Sequence, residues 1–271
     1  MEKREILKET ELFVLDMDGT FYLDTDVLDG ALDFLEEVKK AGKRYVFFTN
    51  NSSKSPKTYI DKLAKMGCYI KRNQIITSGN VMIQYLKEYY PEKKVYLVGT
   101  PDLEENFREN GILLTREMPD VVVIGFDMTL TYEKLERACT YIRNGAVFLA
   151  THLDINCPTK DGFIPDCGAM CAAISLSTGK EPKYVGKPFK ETVDMVLEMT
   201  GAKREAMSFV GDRIYGCENR CGKWGTRNPG ADRRDEAGGC TEGGCRAGCD
   251  FHRAERDGRN TQDYERRGSI E

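Results

Sequence analysis

Two aspartates at the end of the first apolar run are the residues best suited to chemistry. Asp16 and Asp18 follow the run 12–15, and Gly19 and Thr20 come directly after them. Ligand sites of open parallel sheets lie at the carboxyl ends of strands, and glycine permits a sharp exit from a strand. One such carboxylate can attack phosphorus while the other transfers protons, and both suit a divalent cation. A bare Asp-x-Asp is often only a solvated turn, but the preceding strand and the following Gly-Thr favour a functional pair.

A polar segment follows the second apolar run. Thr49, Asn50 and Asn51 come after the run 45–48, and two serines, 52–53, follow. Hydroxyl, amide and free backbone N–H groups at a strand-to-helix turn form a cradle for phosphate. The alternative is a helix N-cap, for which Ser and Asn are preferred, and both interpretations can hold at once.

Two later positions add a cation and a third carboxylate. Lys187 lies in the frame Val-Gly-Lys-Pro before a helical stretch, and Asp212 follows the apolar run 207–210 and a glycine. A lone lysine is usually solvated surface, whereas an aspartate at a strand end is a natural Mg²⁺ ligand. The four segments, in this order and each at a strand end or turn, are far more specific than any one of them.

The elements that position these residues alternate along the chain. Apolar runs that predict strands are 12–15, 45–48, 95–98, 121–126, 147–150 and 207–210. Between them, stretches such as 31–38 and 134–142 repeat apolar residues every three or four positions, which predicts helices. Strand and helix in alternation predict an α/β fold with a mostly parallel sheet covered on both faces.

The composition excludes several classes of protein. The chain has 271 residues, 40% hydrophobic and 31% charged, with a net charge of -4. This balance supports a core and gives no general electrostatic reason to bind nucleic acid or an anionic membrane. No apolar run approaches the length of a spanning helix, the first residues do not resemble a signal peptide, and the cysteines up to position 171 are scattered as reduced core residues. We therefore predict a cytoplasmic location.

The four segments together resemble the haloacid dehalogenase superfamily of phosphatases, specifically its NagD-like or p-nitrophenylphosphatase branch. The resemblance covers residues 11–215, roughly four-fifths of the chain, and includes Ala-Thr-His-Leu-Asp at 150–154 and Gly-Phe-Ile-Pro-Asp-Cys-Gly at 162–168. It implies a Rossmann-like core with a parallel sheet and an inserted α/β cap. The predicted division is core at 1–80, cap at 81–181, core again at 182–215 and an aberrant tail at 216–271.

The resemblance also implies roles for the site residues. Asp16 would be the nucleophile that forms an aspartyl-phosphate, and Asp18 would protonate the leaving alcohol and then activate water. Lys187 would stabilise the charge of Asp16 and of the transferring group. The remaining implied contacts are phosphate binding by Thr49, Asn50 and Asn51, and Mg²⁺ binding by Asp16, the backbone carbonyl of Asp18, and Asp212.

The inserted cap is expected to reach the leaving group and exclude water. Its substrate-facing loop would include His152, Asp154 and Asn156, although a lone histidine such as His152 is often structural. Some relatives dimerise through their caps, which suggests a homodimer by analogy.

The family pattern breaks after Tyr215. The family continues with Thr-Asp-x-x-x-Gly, whereas residues 216–271 contain no Leu, Val or Met and are rich in Gly, Arg and Cys. Loss of one dinucleotide in the coding sequence is compatible with this change, and we expect a frame disruption here. The alternatives are a genuine disordered tail, or a metal- or RNA-binding module, whose Cys spacings lack paired Cys-x2-Cys knuckles.

The leading functional hypothesis is a Mg²⁺-dependent hydrolase of small phosphomonoesters such as nucleotide, sugar or aryl phosphates. The alternative is an impaired pseudo-phosphatase that binds phosphate esters without turnover, because the last motif is damaged. A third hypothesis assigns metal or nucleic-acid binding to the tail.

Overall fold

The computed structural model describes residues 8–159, 161–211 and 224–225. Its first sheet is parallel throughout and has the strand order β14-β13-β1-β4-β5. These strands are β1 (Leu12–Leu15), β4 (Arg44–Thr49), β5 (Ile75–Thr77), β13 (Met207–Val210) and β14 (Trp224–Gly225). The central strand, β1, pairs with β4 on one side and β13 on the other, and all four of its residues are buried. Burial on both faces explains why its sequence is continuously apolar.

A second parallel sheet has the order β12-β9-β8-β6-β7. Its strands are β6 (Lys94–Val98), β7 (Leu113–Leu114), β8 (Val121–Ile124), β9 (Val147–Ala150) and β12 (Lys183–Tyr184). Two antiparallel hairpins accompany the sheets, β2–β3 (Tyr22–Leu23 and Asp26–Val27) and β10–β11 (Asn156–Thr159 and Gly162–Pro165). The α/β class and the parallel sheets predicted from sequence are confirmed.

Seven α-helices connect these strands in the described part of the chain. They are α1 (Ala31–Lys40), α2 (Pro56–Lys65), α3 (Ser78–Tyr89), α4 (Pro101–Glu109), α5 (Tyr132–Arg143), α6 (Cys167–Thr178) and α7 (Lys190–Thr200). Local sequence sets several of their starts: Ser55, Thr77, Thr100, Thr131 and Asp166 each accept a backbone N–H as N-caps. None of the described helices is long and apolar enough to cross a membrane.

One buried apolar cluster contains residues of both sheets. Val14 and Phe48 of the first sheet belong to it, as do Val121 and Leu149 of the second. Helices α3 and α7 contribute further buried residues to the same cluster. The predicted boundaries of core and cap at residues 81 and 181 stay a prediction.

Two predictions fall wholly or mostly outside the described residues. The predicted Mg²⁺ ligand Asp212 lies outside the described residues. Of the predicted tail only Trp224–Gly225 is described, as a two-residue strand beside Phe209–Val210.

Candidate active site

The predicted nucleophile lies at the carboxyl end of the central strand. The backbone N–H of Asp16 donates to Val210 O at 2.8 Å, which extends the pairing of β1 with β13 by one residue. Asp16 Oδ1 lies 2.8 Å from Lys187 Nζ and accepts the N–H of Met17 at 2.9 Å. Both charged side chains are almost completely buried. A buried ion pair of this kind holds each group in one position, because breaking it would leave an uncompensated charge.

Asp18 occupies a turn directly after Asp16. Gly19 has a φ of 82°, in the left-handed region that favours glycine, and its N–H donates to Tyr22 O at 2.9 Å. Thr49 Oγ1 donates to Asp18 Oδ2 at 3.4 Å. Burial raises the pKa of Asp18, the nearby Lys62 lowers it, and the charge of Asp16 raises it further. The charge of Asp16 therefore affects the protonation of Asp18.

Asn50 joins three segments of the chain. Its Oδ1 accepts the N–H of Lys187 at 2.9 Å, and its Nδ2 donates to Lys187 O and to Asp154 Oδ2, each at 3.2 Å. The amide of Asn50 therefore hydrogen-bonds both the N–H and the carbonyl of Lys187, which fixes the position from which the lysine side chain extends. The predicted cap residue Asp154 reaches this segment through the same amide.

The other two predicted phosphate ligands organise the loop after β4. Thr49 Oγ1 accepts the N–H of Asn51 at 3.0 Å. Asn51 Oδ1 in turn accepts the N–H of Ser53 at 3.0 Å and its hydroxyl at 2.6 Å. The side-chain oxygen of Asn51 thus stabilises the turn after β4, whereas the N-cap of the following helix α2 is Ser55, which lies outside the segment proposed as a cap.

Gly186 has no room for a side chain. A Cβ at this position would lie 2.4 Å from Thr151 O, 2.9 Å from Asn50 Oδ1 and 3.0 Å from His152 Cβ. The segment that carries Lys187 can pack against these groups because residue 186 is glycine.

His152 is completely buried in a polar network. Its Nε2 lies 2.8 Å from Asp166 Oδ1, and its Nδ1 lies 3.0 Å from Thr151 Oγ1 and 3.4 Å from Ser78 Oγ. Ser78 also donates to Asn50 O. His152 is therefore linked through the Ser78 hydroxyl to Asn50, the residue that hydrogen-bonds the backbone of Lys187.

The charges around His152 shift its titration. Burial alone would lower the pKa of His152, but the carboxylate of Asp166, together with Cys167 and Asp154, raises it to about 9. Burial opposes ionisation of Cys167 as well, yet its contacts with Cys171 and His152 lower the pKa of the Cys167 thiol to about 7.

Asn156 lies on the β10–β11 hairpin. It is exposed at the start of β10, paired with Pro165. The predicted roles of His152, Asp154 and Asn156 toward substrate stay predictions.

Three residues near the site were not predicted from the sequence. Tyr22 and Lys62 lie beside Asp18, and Asp166, the N-cap of α6, is also the partner of His152. One feature of the sequence could have pointed to Lys62. It lies three residues after the buried Tyr59 on α2 and therefore next to the buried face of that helix.

The fold and the site match a known family. The family model of the haloacid dehalogenase-like hydrolases matches residues 13–113. An acid sugar phosphatase of Staphylococcus aureus is 36% identical over 207 residues, which are 76% of this chain and 80% of the relative. The chain belongs to the haloacid dehalogenase-like hydrolases.

Solved structures agree with that assignment. A 4-nitrophenylphosphatase from Thermotoga maritima is 46% identical, with a TM-score of 0.75 over 78% of this chain and 81% of that one. A second structure, provisionally named a nagD protein, is 47% identical, with a TM-score of 0.74 over 76% and 82%. The predicted family and the predicted enzyme class, a phosphatase of this family, are confirmed.

Haloacid dehalogenase-like hydrolases generally use a divalent cation, and the residues present fit one. Asp16 and Asp18 place two carboxylates close enough for the charge of one to raise the pKa of the other, a repulsion that a cation relieves. A second group, His152, Asp154 and Asp166, has ligand atoms within 4.8 Å of one another. His152 and Asp166 are hydrogen-bonded to each other, and Asp154 accepts from Asn50 Nδ2, so each of these side chains has a partner without an ion.

Proposed function

We propose that this protein is a Mg²⁺-dependent phosphomonoester hydrolase that works through an aspartyl-phosphate on Asp16. The observation that carries the proposal is the buried 2.8 Å contact between Asp16 and Lys187 at the carboxyl end of β1, beside Asp18. A carboxylate held by a cation in a fixed position is arranged for in-line attack on a phosphoryl group. The names of the relatives, acid sugar phosphatase and 4-nitrophenylphosphatase, support this class of substrate.

In the first step, a carboxylate oxygen of Asp16 forms a bond to phosphorus while the bond from phosphorus to the alcohol oxygen breaks. Asp18 gives its proton to that oxygen, and the neutral alcohol leaves. In the second step, Asp18 takes a proton from water, whose oxygen bonds to phosphorus. The bond from phosphorus to Asp16 breaks, and inorganic phosphate and both original carboxyl groups are restored.

The other residues stabilise charge and position. Lys187 neutralises Asp16 and the equatorial phosphoryl oxygens, with Asn50 holding its backbone. Thr49 and the loop N–H groups would donate to the phosphoryl group. Mg²⁺ held by Asp16, the carbonyl of Asp18 and Asp212 would offset the repulsion between the nucleophile and the phosphate dianion.

We also retain the proposed cap at residues 81–181 as the part that covers the leaving group. For the compartment, we propose the cytoplasm, because Cys68, Cys139, Cys157, Cys167 and Cys171, the cysteines of the described residues, are all free.

The test is hydrolysis of 4-nitrophenyl phosphate with and without Mg²⁺, by the full chain and its Asp16→Asn variant. We expect turnover only for the wild-type chain with Mg²⁺, and a phosphoryl group on the Asp16 peptide in acid-quenched samples measured by mass spectrometry. Asp33→Asn, an exposed aspartate on α1, is the matched control and should retain activity. Turnover by Asp16→Asn at the wild-type rate would refute the mechanism, and phosphate-ester binding without any turnover would favour the pseudo-phosphatase.

A further inference from the structure

Lys62 presents a charge on the Asp18 side of the site. It lies on α2, half-buried, with Nζ 3.8 Å from the centre of the Tyr22 ring. Asp18 is the charge that acts on it most strongly. Within the described residues, the Tyr22 ring is the contact of the Lys62 ammonium, which has no hydrogen-bonded or ion-paired partner there.

A second cation lies close to the first. The charge of the half-buried Lys54 acts on Lys62 strongly enough to oppose its protonation, while Asp24 acts in the opposite sense. Burial is the largest cause of the lowered pKa of Lys62. Two neighbouring lysines held partly out of water make a region that attracts an anion.

A buried hydroxyl lies in the same region. Tyr22 is completely buried, and its hydroxyl lies toward Asp18, whose pKa it lowers as a hydrogen-bond donor although the contact falls short of full hydrogen-bond geometry. Burial and the nearby Asp18 raise the pKa of Tyr22 strongly, so the phenol keeps its proton. The phenol therefore donates toward Asp18, and the Lys62 ammonium over its ring lies beside that carboxylate.

The two lysines of the site lie nearest to different aspartates. Lys187 contacts Asp16, the proposed nucleophile, whereas Lys62 lies on the side of Asp18, the proposed acid. If Asp18 protonates the leaving oxygen, groups around Asp18 face the alcohol part of the substrate.

We infer that the Lys62 ammonium, held over the Tyr22 ring, forms a second subsite, which binds a negatively charged group on the alcohol part of the phosphomonoester. This inference rests on the proposed function, because the reaction defines which side the alcohol occupies. The preferred substrates are then small phosphomonoesters that carry a second anion, a carboxylate or another phosphate, in place of neutral alcohol or aryl groups.

The experiment compares three substrates of similar length that differ in the group at the far end. They are 2-phosphoglycolate with a carboxylate, ethylene glycol bisphosphate with a phosphate, and 2-hydroxyethyl phosphate with a neutral hydroxyl. For wild type we expect a higher kcat/KM for at least one acidic substrate than for the neutral one. Lys62→Met should lower that preference roughly tenfold or more, since a charge-assisted contact is lost, and the more affected substrate identifies the anion.

Two variants serve as controls. Lys62→Arg keeps the charge and should retain much of the preference, and Lys65→Met neutralises an exposed lysine on the same helix and should change nothing. An equal effect of Lys62→Met on all three substrates would refute the inference and leave Lys62 as an electrostatic partner of Asp18 alone. An unchanged preference would refute it as well.

Calorimetric binding of the same three compounds to the full chain separates this inference from the proposed reaction. If no compound is hydrolysed, the proposed function fails, yet a Lys62-dependent binding preference would still support the subsite. If the compounds are hydrolysed without such a preference, only the subsite fails.

Discussion

Replacement of Gly186 by alanine tests how closely the Lys187 segment must pack. The new Cβ would lie 2.4 Å from the backbone oxygen of Thr151, 1.0 Å less than the 3.4 Å at which ordinary contacts begin. Asn50 Oδ1 and His152 Cβ would lie 2.9 and 3.0 Å from the same Cβ, so a small shift away from Thr151 O brings it against another atom. Because Gly186 is not among the described glycines with positive φ, the strain is steric and not conformational.

The clash must be relieved by a shift of about 1 Å in one of the two segments. Insertion of extra volume into a packed region costs about 1–3 kcal/mol. A displacement of about 1 Å in a positioned catalytic group costs about 10²-fold in rate. We therefore expect Gly186→Ala to lower kcat/KM for 4-nitrophenyl phosphate by about 10²-fold, because Lys187 moves away from Asp16.

The assay is steady-state hydrolysis with denaturant unfolding of the same samples. Gly99→Ala is the control, since its Cβ would approach the side-chain tip of Leu103 at 2.9 Å, away from the site. It should lose some stability with little effect on kcat/KM. Wild-type kcat/KM in a folded Gly186→Ala variant would refute the reasoning.

Two further predictions concern the buried polar network. Folding raises the pKa of His152 from 6.5 to about 9, so protonated His152 stabilises the fold below pH 6.5 and that contribution is lost as pH rises through 9. Cys167, with a pKa lowered from 9.0 to about 7, contributes stability above pH 9 that is lost as pH falls through 7. The two offset each other, so unfolding free energy measured from pH 7 to 9 should be nearly constant in wild type and fall with rising pH in Cys167→Ala, where Asp166 still raises the pKa of His152 but the contribution of Cys167 is lost; a flat profile in that variant would contradict this. Asn50→Asp should cost about 1–3 kcal/mol in unfolding free energy, because it exchanges the amide donor to Asp154 for a second carboxylate. The exposed Asn144→Asp is its control, and equal stability of the two variants would count against the assigned hydrogen bonds.

The apolar runs predicted the strands well because strands buried on both faces have no polar positions to confuse the pattern. Runs 12–15 and 207–210 coincide with β1 and β13. The run 121–126 is longer than β8, which ends at Ile124, because Phe126 donates its N–H to Ser52 Oγ instead of to a neighbouring strand. That contact comes from a distant segment and leaves no mark on the local sequence.

In the site too, residues in local motifs could be predicted, whereas contacts between distant segments could not. Asp16, Thr49, Asn50 and Lys187 could be predicted because each follows a strand or precedes a helix in a recognisable motif. The proximity of Lys62 to Tyr22 depends on how α2 packs beside the β2–β3 hairpin, and no spacing in the sequence encodes it. The pairing of His152 with Asp166 likewise requires that the loop after β9 meet the start of α6.

The topology of the first sheet has a consequence for synthesis of the chain. The strand β1 needs β13 as a neighbour, and Thr10 and Ser208 hydroxyls meet at 2.6 Å across 198 positions of sequence. On a ribosome, one edge of β1 stays without its partner while the roughly 160 residues after β4 are made, for about 10–30 s at usual elongation rates. The second sheet, whose strands all lie between β4 and β13, can form during that interval. A nascent chain halted before residue 207 would therefore present one unpaired edge of an apolar strand, the type of edge that chaperones cover and that promotes aggregation.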